Sequence, residues 1–233
     1  MGILSINYGE TWYLLIAHPD DETMFFSPTL FAFDKMGVVL HIFCVTSGGS
    51  DGNGLTRIKE LYKSASVYGI PSSRVHILDP NERIFSDGFV EWNITNLVDL
   101  LLERIKQQPK GIITFDEWGV SGHPNHINCF KAIKIISKQK NLYNIKFFAL
   151  ESVPLWKKYL GIFDVYLTEL LDEQNNYIIW SNSNKRSECF SSKIYFPAYK
   201  IMVNNYKSQM RWFRYLYLTF SRYLYINTFV SIK

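Results

Sequence analysis

Five short apolar runs, Trp12 to Ala17, Val38 to Val45, Val75 to Leu78, Gly111 to Phe115 and Lys146 to Leu150, recur along the first two thirds of the chain. Stretches with helical spacing lie between them: residues 23 to 36, closed by Gly37; 56 to 68, closed by Gly69 and Pro71; 93 to 107; and about 125 to 138. A continuous apolar run bounded by turn residues predicts a strand buried on both faces, and strands alternating with helices predict parallel crossover units. The stretch from Asn93 to Gln107 is the clearest amphipathic helix, with Ile94, Leu97, Val98, Leu101, Leu102 and Ile105 on one face. Tyr177 to Trp180 reads as one more strand. The expected fold is therefore α/β, a mostly parallel sheet flanked by helices. No internal repeat or interdomain linker is visible, so residues 1–233 read as one domain.

In open sheets of this kind, ligands bind beyond the carboxyl ends of the strands. Two loops at such ends carry chemistry. Ala17-His18-Pro19-Asp20-Asp21-Glu22 leaves the first run, and Asp116 to His126, ending Gly122-His123-Pro124-Asn125-His126, leaves the fourth. The topology brings His18, Asp20, Asp21, His123 and His126 to one rim. That composition suits a catalytic Zn²⁺, which typically takes three His, Asp or Glu ligands and leaves a position open. The Asp20-Asp21 pair would also suit a helix N-cap, and His41 and His76, inside strands, read as packed or surface residues. The loop from Thr46 to Gly54 holds Gly48, Gly49, Gly52 and Gly54, which predicts backbone that turns tightly or lies against a ligand. It matches neither a dinucleotide fingerprint nor a P-loop.

A formal net charge of only +4 does not indicate a general grip on nucleic acid. Its distribution is uneven. From Lys185 onward, Lys185, Arg186, Lys193, Lys200, Lys207, Arg211, Arg214, Arg222 and Lys233 face the single acid Glu188. Trp212, Phe213, Tyr215, Tyr217, Phe220, Tyr223 and Tyr225 interleave with these cations. A helix from about Lys200 to Tyr225 would either pack across the sheet or lie at a membrane surface, with rings at headgroup depth and cations near phosphates. No apolar run reaches the roughly 18 residues of a transmembrane helix, and neither a signal peptide nor a myristoylation motif precedes the first strand. The odd set of Cys44, Cys129 and Cys189 lacks metal-ligand spacing and suggests free thiols in a reducing compartment.

Taken in order, the apolar strand, His18-Pro19-Asp20-Asp21-Glu22, the glycine-rich loop, Arg57-x-x-Glu60-Leu61 and Gly122-His123-Pro124-Asn125-His126 resemble the LmbE-like, or PIG-L, zinc-dependent de-N-acetylases over about residues 12 to 150. The tail, Ser208-Gln209-Met210-Arg211-Trp212-Phe213-Arg214-Tyr215-Leu216-Tyr217 and Phe220-Ser221-Arg222-Tyr223, is similar to that of the eukaryotic members acting on N-acetylglucosaminyl-phosphatidylinositol.

The resemblance implies a Rossmann-like fold and one Zn²⁺ held by His18, Asp21 and His126. It implies Asp20 as general base, His123 facing the developing oxyanion, and Arg57 and Asp87 on the sugar hydroxyls. The implied reaction is removal of the acetyl group from this glycolipid in the second step of GPI-anchor synthesis. The implied location is the cytoplasmic face of the endoplasmic reticulum membrane, with the membrane surface met by the tail. A soluble N-acetylglucosaminide as substrate, or a non-catalytic sugar- or lipid-binding subunit, are the alternatives; the spare carboxylate of Asp20 speaks against the second. Some bacterial relatives carry Tyr where Ser121 stands, which excludes a Tyr hydroxyl at that position here.

Overall fold

The computed structural model describes residues 6–105, 109–139, 142, 144–165, 167, 177–180 and 192–232. Its strands are β1 (Thr11–Ile16), β2 (Val39–Thr46), β3 (Val75–Asp79), β4 (Gly111–Phe115), β5 (Lys146–Leu150), β6 (Tyr177–Trp180) and β7 (Ile226–Ser231). The main helices are α1 (Asp21–Lys35), α2 (Gly54–Val67), α3 (Ile94–Arg104), α4 (Pro124–Ile136), α5 (Ser192–Asn205) and α6 (Trp212–Phe220). One sheet runs in the order β3-β2-β1-β4-β5-β7-β6. Strands β1 to β5 pair with one another in parallel, and β7 is antiparallel to both β5 and β6.

The order makes the site geometry. Strand β1 pairs with β2 on one side and β4 on the other, so the winding reverses between β1 and β4. Loops leaving their carboxyl ends diverge and open a crevice. Both histidine loops start there. Beneath them the core is aromatic. Trp12 is fully buried, edge-on to Phe33 at 5.4 Å and stacked with Phe148 at 6.1 Å, while Phe115 meets Phe25 and Phe26 edge-on. Cys44 and Cys129 are buried free thiols; Cys189, Lys185, Arg186, Glu188 and Lys233 lie outside the described residues.

The single helix expected over residues 200 to 225 is not what forms. Helix α5 ends at Asn205, a one-turn 3₁₀ segment covers Lys207–Gln209, and α6 starts only after Arg211, whose backbone is extended. The chain then closes the sheet as β7. The Ile-Asn-Thr-Phe-Val sequence of residues 226–230 is rich in β-branched and aromatic residues, which suit a pleated surface better than a helix.

Strand β7 and α6 also complete α1. Pro28 sits inside that helix and lacks the N–H that would bond the Met24 carbonyl. The Tyr217 hydroxyl donates to that carbonyl at 2.9 Å. One turn on, the Asn227 amide bridges the same helix. Its Nδ2 donates to the Phe25 carbonyl at 2.7 Å, and its Oδ1 accepts from the Thr29 hydroxyl at 2.7 Å and the Thr29 N–H at 3.3 Å.

Asn227→Ala should therefore leave buried backbone groups of α1 without partners, at about 1–3 kcal/mol. For a chain of this size that is a fall of several degrees in Tm. An unchanged thermal midpoint would mean that α1 does not need this amide.

Candidate active site

The first loop turns on one residue. Asp20 has φ 107°, in the left-handed region that side-chain-bearing residues rarely adopt. It occupies the N-cap position of α1, yet its side chain makes no capping bond. The twist sends consecutive carboxylates to different partners. Asp21 turns back over the strand end, where its Oδ2 accepts from the backbone N–H groups of Ala17 (3.1 Å) and His18 (2.9 Å). Burial works against ionisation of Asp21, but the His126 and His18 imidazoles outweigh it and hold the carboxyl well below the usual carboxylate range. Asp20 turns the other way, toward two guanidinium groups: Oδ2 lies 2.5 Å from Arg214 Nη1 and 3.3 Å from Arg57 Nη2.

The second loop sets two imidazoles. His123 caps α4, accepting the Asn125 N–H on its Nδ1 at 3.3 Å, with Pro124 in the first helical position, where a missing N–H costs nothing. With Nδ1 an acceptor, the proton of neutral His123 belongs on Nε2. Burial and the neighbouring His126 and His18 lower its pKa to about 4, so the ring is neutral near pH 7. His126, one turn on, stacks flat on Phe115 at 4.0 Å and hydrogen-bonds the Gly119 carbonyl through Nδ1 at 3.1 Å. That bond assigns the donor role to Nδ1 and turns the Nε2 lone pair toward Asp21 Oδ1, 3.2 Å away.

Two acceptors facing each other call for a cation between them. His126 Nε2 is buried without a hydrogen-bond partner, and ligand atoms of His18, Asp21 and His126 all lie within 4.8 Å of one another. The donor set, two imidazoles and a carboxylate, fits a divalent metal with an open position. The expected trio is thus brought together. Burial opposes the charged form of His18, but hydrogen bonds and charge from Asp21 and Asp87 raise its pKa to about 10: the cluster attracts positive charge.

The remaining expected residues, Arg57 and Asp87, border the same crevice. Arg57 Nη1 donates to the Gly48 carbonyl at 2.8 Å and Nη2 to the Pro19 carbonyl at 2.7 Å. A side chain on Gly48 (φ 69°) would begin 2.4 Å from the Arg57 guanidinium carbon, so the glycine-rich loop turns tightly around this arginine. Asp87 Oδ1 meets His18 Nε2 at 3.1 Å, its Oδ2 accepts from the Ser50 N–H at 3.2 Å, and Arg57 Nη1 is 3.6 Å away. Burial would raise the Asp87 pKa, yet the His18 contact holds it below the ordinary range.

Sequence reasoning gave no role in this site to three residues. Asn125 Oδ1 lies 3.0 Å from His18 Nε2 while its Nδ2 donates to the Val90 carbonyl. Glu82 ties the glycine loop to the Asp87 loop, accepting from Gly49, Ser47 and Asp87. Arg214 arrives from the tail.

Comparison with known proteins adds an independent line. The family model described as PIG-L, GlcNAc-PI de-N-acetylase, matches residues 13–137. A probable N-acetylglucosaminyl-phosphatidylinositol de-N-acetylase of Dictyostelium discoideum is 34% identical over 94% of this chain and 92% of its own length. One of the same description from Schizosaccharomyces pombe is 35% identical over 94% and 85%. Among solved structures, a deacetylase triple mutant of the teicoplanin biosynthetic pathway superposes with a TM-score of 0.62 at 14% identity, over 95% of this chain and 97% of that one. The hydratase GalB of Pseudomonas putida, which acts on 4-carboxy-2-hydroxymuconate, gives a TM-score of 0.55 at 12% identity over 96% of each chain. The fold thus hosts other chemistry as well, and these structures speak for fold alone.

Because Asn125 orients His18, Asn125→Ala should weaken divalent-ion binding roughly 10- to 100-fold. Equilibrium titration with Zn²⁺ against a competing chelator measures this. Wild-type affinity in the variant would remove Asn125 from the support of the cluster.

Proposed function

The chain belongs to the PIG-L family of GlcNAc-PI de-N-acetylases, and we propose that it hydrolyses the acetamide of N-acetylglucosaminyl-phosphatidylinositol to glucosaminyl-phosphatidylinositol and acetate, the second step of GPI-anchor synthesis. The observation that carries this reading is the split at the first loop. Asp21 joins His18 and His126 in a three-ligand cluster while Asp20, next to it, stands outside that cluster. A binding module needs the cluster but not the spare carboxylate.

His18, Asp21 and His126 would hold one Zn²⁺, which supplies carbonyl polarisation and acidification of water to a pKa of about 7. The protein's own residues manage the protons. Asp20 takes one from the attacking water as oxygen adds to the amide carbon. His123, neutral and with its proton on Nε2, donates a hydrogen bond to the oxyanion that forms. When the C–N bond breaks, Asp20 returns to the amine the proton it took from water, and acetate leaves. Asp87, steadied by Arg57, offers its carboxylate to sugar hydroxyls.

The glycolipid assignment is supported by the surface beside the crevice. Trp212, Phe213, Leu216 and Phe220 of α6 are more than half exposed, as are Leu155, Trp156 and Phe163 on the segment packed alongside it. Rings and apolar side chains exposed in this way suit the headgroup region of a bilayer. No helix among the described residues is long and apolar enough to cross a membrane, so this face is our proposed contact with the cytoplasmic leaflet of the endoplasmic reticulum.

Chelation should abolish deacetylation and Zn²⁺ restore it, and Asp20→Asn should lower kcat about 10²- to 10⁴-fold with metal content unchanged. Wild-type turnover in that variant would sink the mechanism. On lipid vesicles, N-acetylglucosaminyl-phosphatidylinositol should be cleaved well ahead of soluble N-acetylglucosaminides; equal kcat/KM on both would favour a soluble substrate.

A further inference from the structure

We infer that Arg214, supplied by the C-terminal segment, is the positioning residue for the general base Asp20; the inference rests on the role given to Asp20 above. Arg214 lies in α6, 194 positions along the chain from Asp20 and beyond the stretch that the family model matches. The sequence had read its charge as one of several cations facing phosphates.

Its geometry is that of an internal brace. Nη1 donates to Asp20 Oδ2 at 2.5 Å and lies 2.9 Å from Met24 Sδ, so the guanidinium is seated between the catalytic loop and α1. Arg57 Nη2 approaches the same oxygen at 3.3 Å. Two cations from opposite ends of the chain thus converge on Oδ2, and among the described residues no donor engages Oδ1. The carboxylate is held by one oxygen and presents the other. A planar guanidinium fixes a carboxylate in orientation as well as in charge, which an ammonium does less well.

The tail is anchored so that Arg214 arrives in register. Tyr206, just after α5, donates its hydroxyl to Glu22 Oε1 at 2.5 Å, on an acid whose pKa burial pushes up to about 7. Ser208 donates its N–H to Glu60 Oε1 at 2.9 Å and its hydroxyl to Oε2 at 2.5 Å. Tyr217, one turn past Arg214, holds the Met24 carbonyl. Glu22 and Glu60, acids of the two motifs that the mechanism leaves without a role, are the docking points for the segment that carries Arg214. A left-handed backbone such as that of Asp20 persists only where its surroundings fix it, and the Arg214 guanidinium is one of the groups that do so.

Purified full-length Arg214→Ala, Arg214→Lys and Asp20→Asn are compared on N-acetylglucosaminyl-phosphatidylinositol in vesicles, with metal content and Tm measured for each. Displacement of a catalytic group by about 1 Å costs on the order of 10²-fold. Arg214→Ala should therefore lose about 10- to 100-fold in kcat with KM within about 3-fold and full metal content. Added guanidinium ion should recover part of that loss, and Arg214→Lys should retain more activity than Arg214→Ala. A rise in KM at wild-type kcat would instead make Arg214 a substrate-phosphate contact and overturn the inference. So would wild-type kinetics in Arg214→Ala, or a kcat loss that guanidinium does not relieve and a matching fall in Tm explains. With Asp20→Asn inactive, those outcomes remove Arg214 alone; an active Asp20→Asn removes the base and its brace together.

Discussion

The left-handed backbone at Asp20 is the constraint on which the site depends. Two carboxylates stand in consecutive positions at the end of β1, where the strand gives way to α1. The turn at φ 107° separates them: Asp21 folds back onto the strand end, and Asp20 faces the arginines. Such a conformation costs of order 1–3 kcal/mol, and it persists because its surroundings are fixed on every side. The Asp20 N–H donates to Glu22 at 3.1 Å, its carbonyl accepts the first bonds of α1, and Pro19 is held through its carbonyl by Arg57.

Charge balance follows from the same turn. Three nearly buried carboxylates, Asp20, Asp21 and Asp87, gather in one crevice, and burying such groups without partners is prohibitive. Each is matched by a cation or by groups that call for one. Asp87 has Arg57 and His18, Asp20 has Arg57 and Arg214, and Asp21 shares His18 and His126, the pair that leaves Nε2 of His126 orphaned. The structure therefore separates two electrostatic tasks. One side of the crevice gathers a donor set that fits a divalent ion, and the other sets the Asp20 carboxylate against two guanidinium groups.

Much of this was legible in the sequence, and what was not has a common cause. The runs at Gly111 to Phe115 and Lys146 to Leu150 match strands end for end because nearly every residue in them is buried, leaving no polar face to blur the pattern; the run Tyr177 to Trp180 also coincides with its strand. His18, Asp20, Asp21, His123 and His126 could be expected at one rim because their loops leave strands of the same sheet, while the choice of His18, Asp21 and His126 among them came from the family resemblance. The tail was harder to read. The aromatic spacing suggested one helix from residue 200 to 225, whereas the chain breaks it and ends in a strand that pairs with β5 and β6. Arg214, Tyr206 and Ser208 act through partners roughly 150 to 190 positions away, a relation that spacing and periodicity do not encode. Asn125 was hidden in plain view between two histidines.

The central claim is that Asp21 belongs to the metal and Asp20 to the proton. X-ray absorption at the zinc edge, on Zn²⁺-loaded wild type, Asp20→Asn and Asp21→Asn, tests it without reference to turnover. The account predicts two imidazole ligands and a carboxylate in the wild type, the same coordination in Asp20→Asn, and an altered one in Asp21→Asn. A coordination shell that changes when Asp20 is replaced and survives the loss of Asp21 would contradict it.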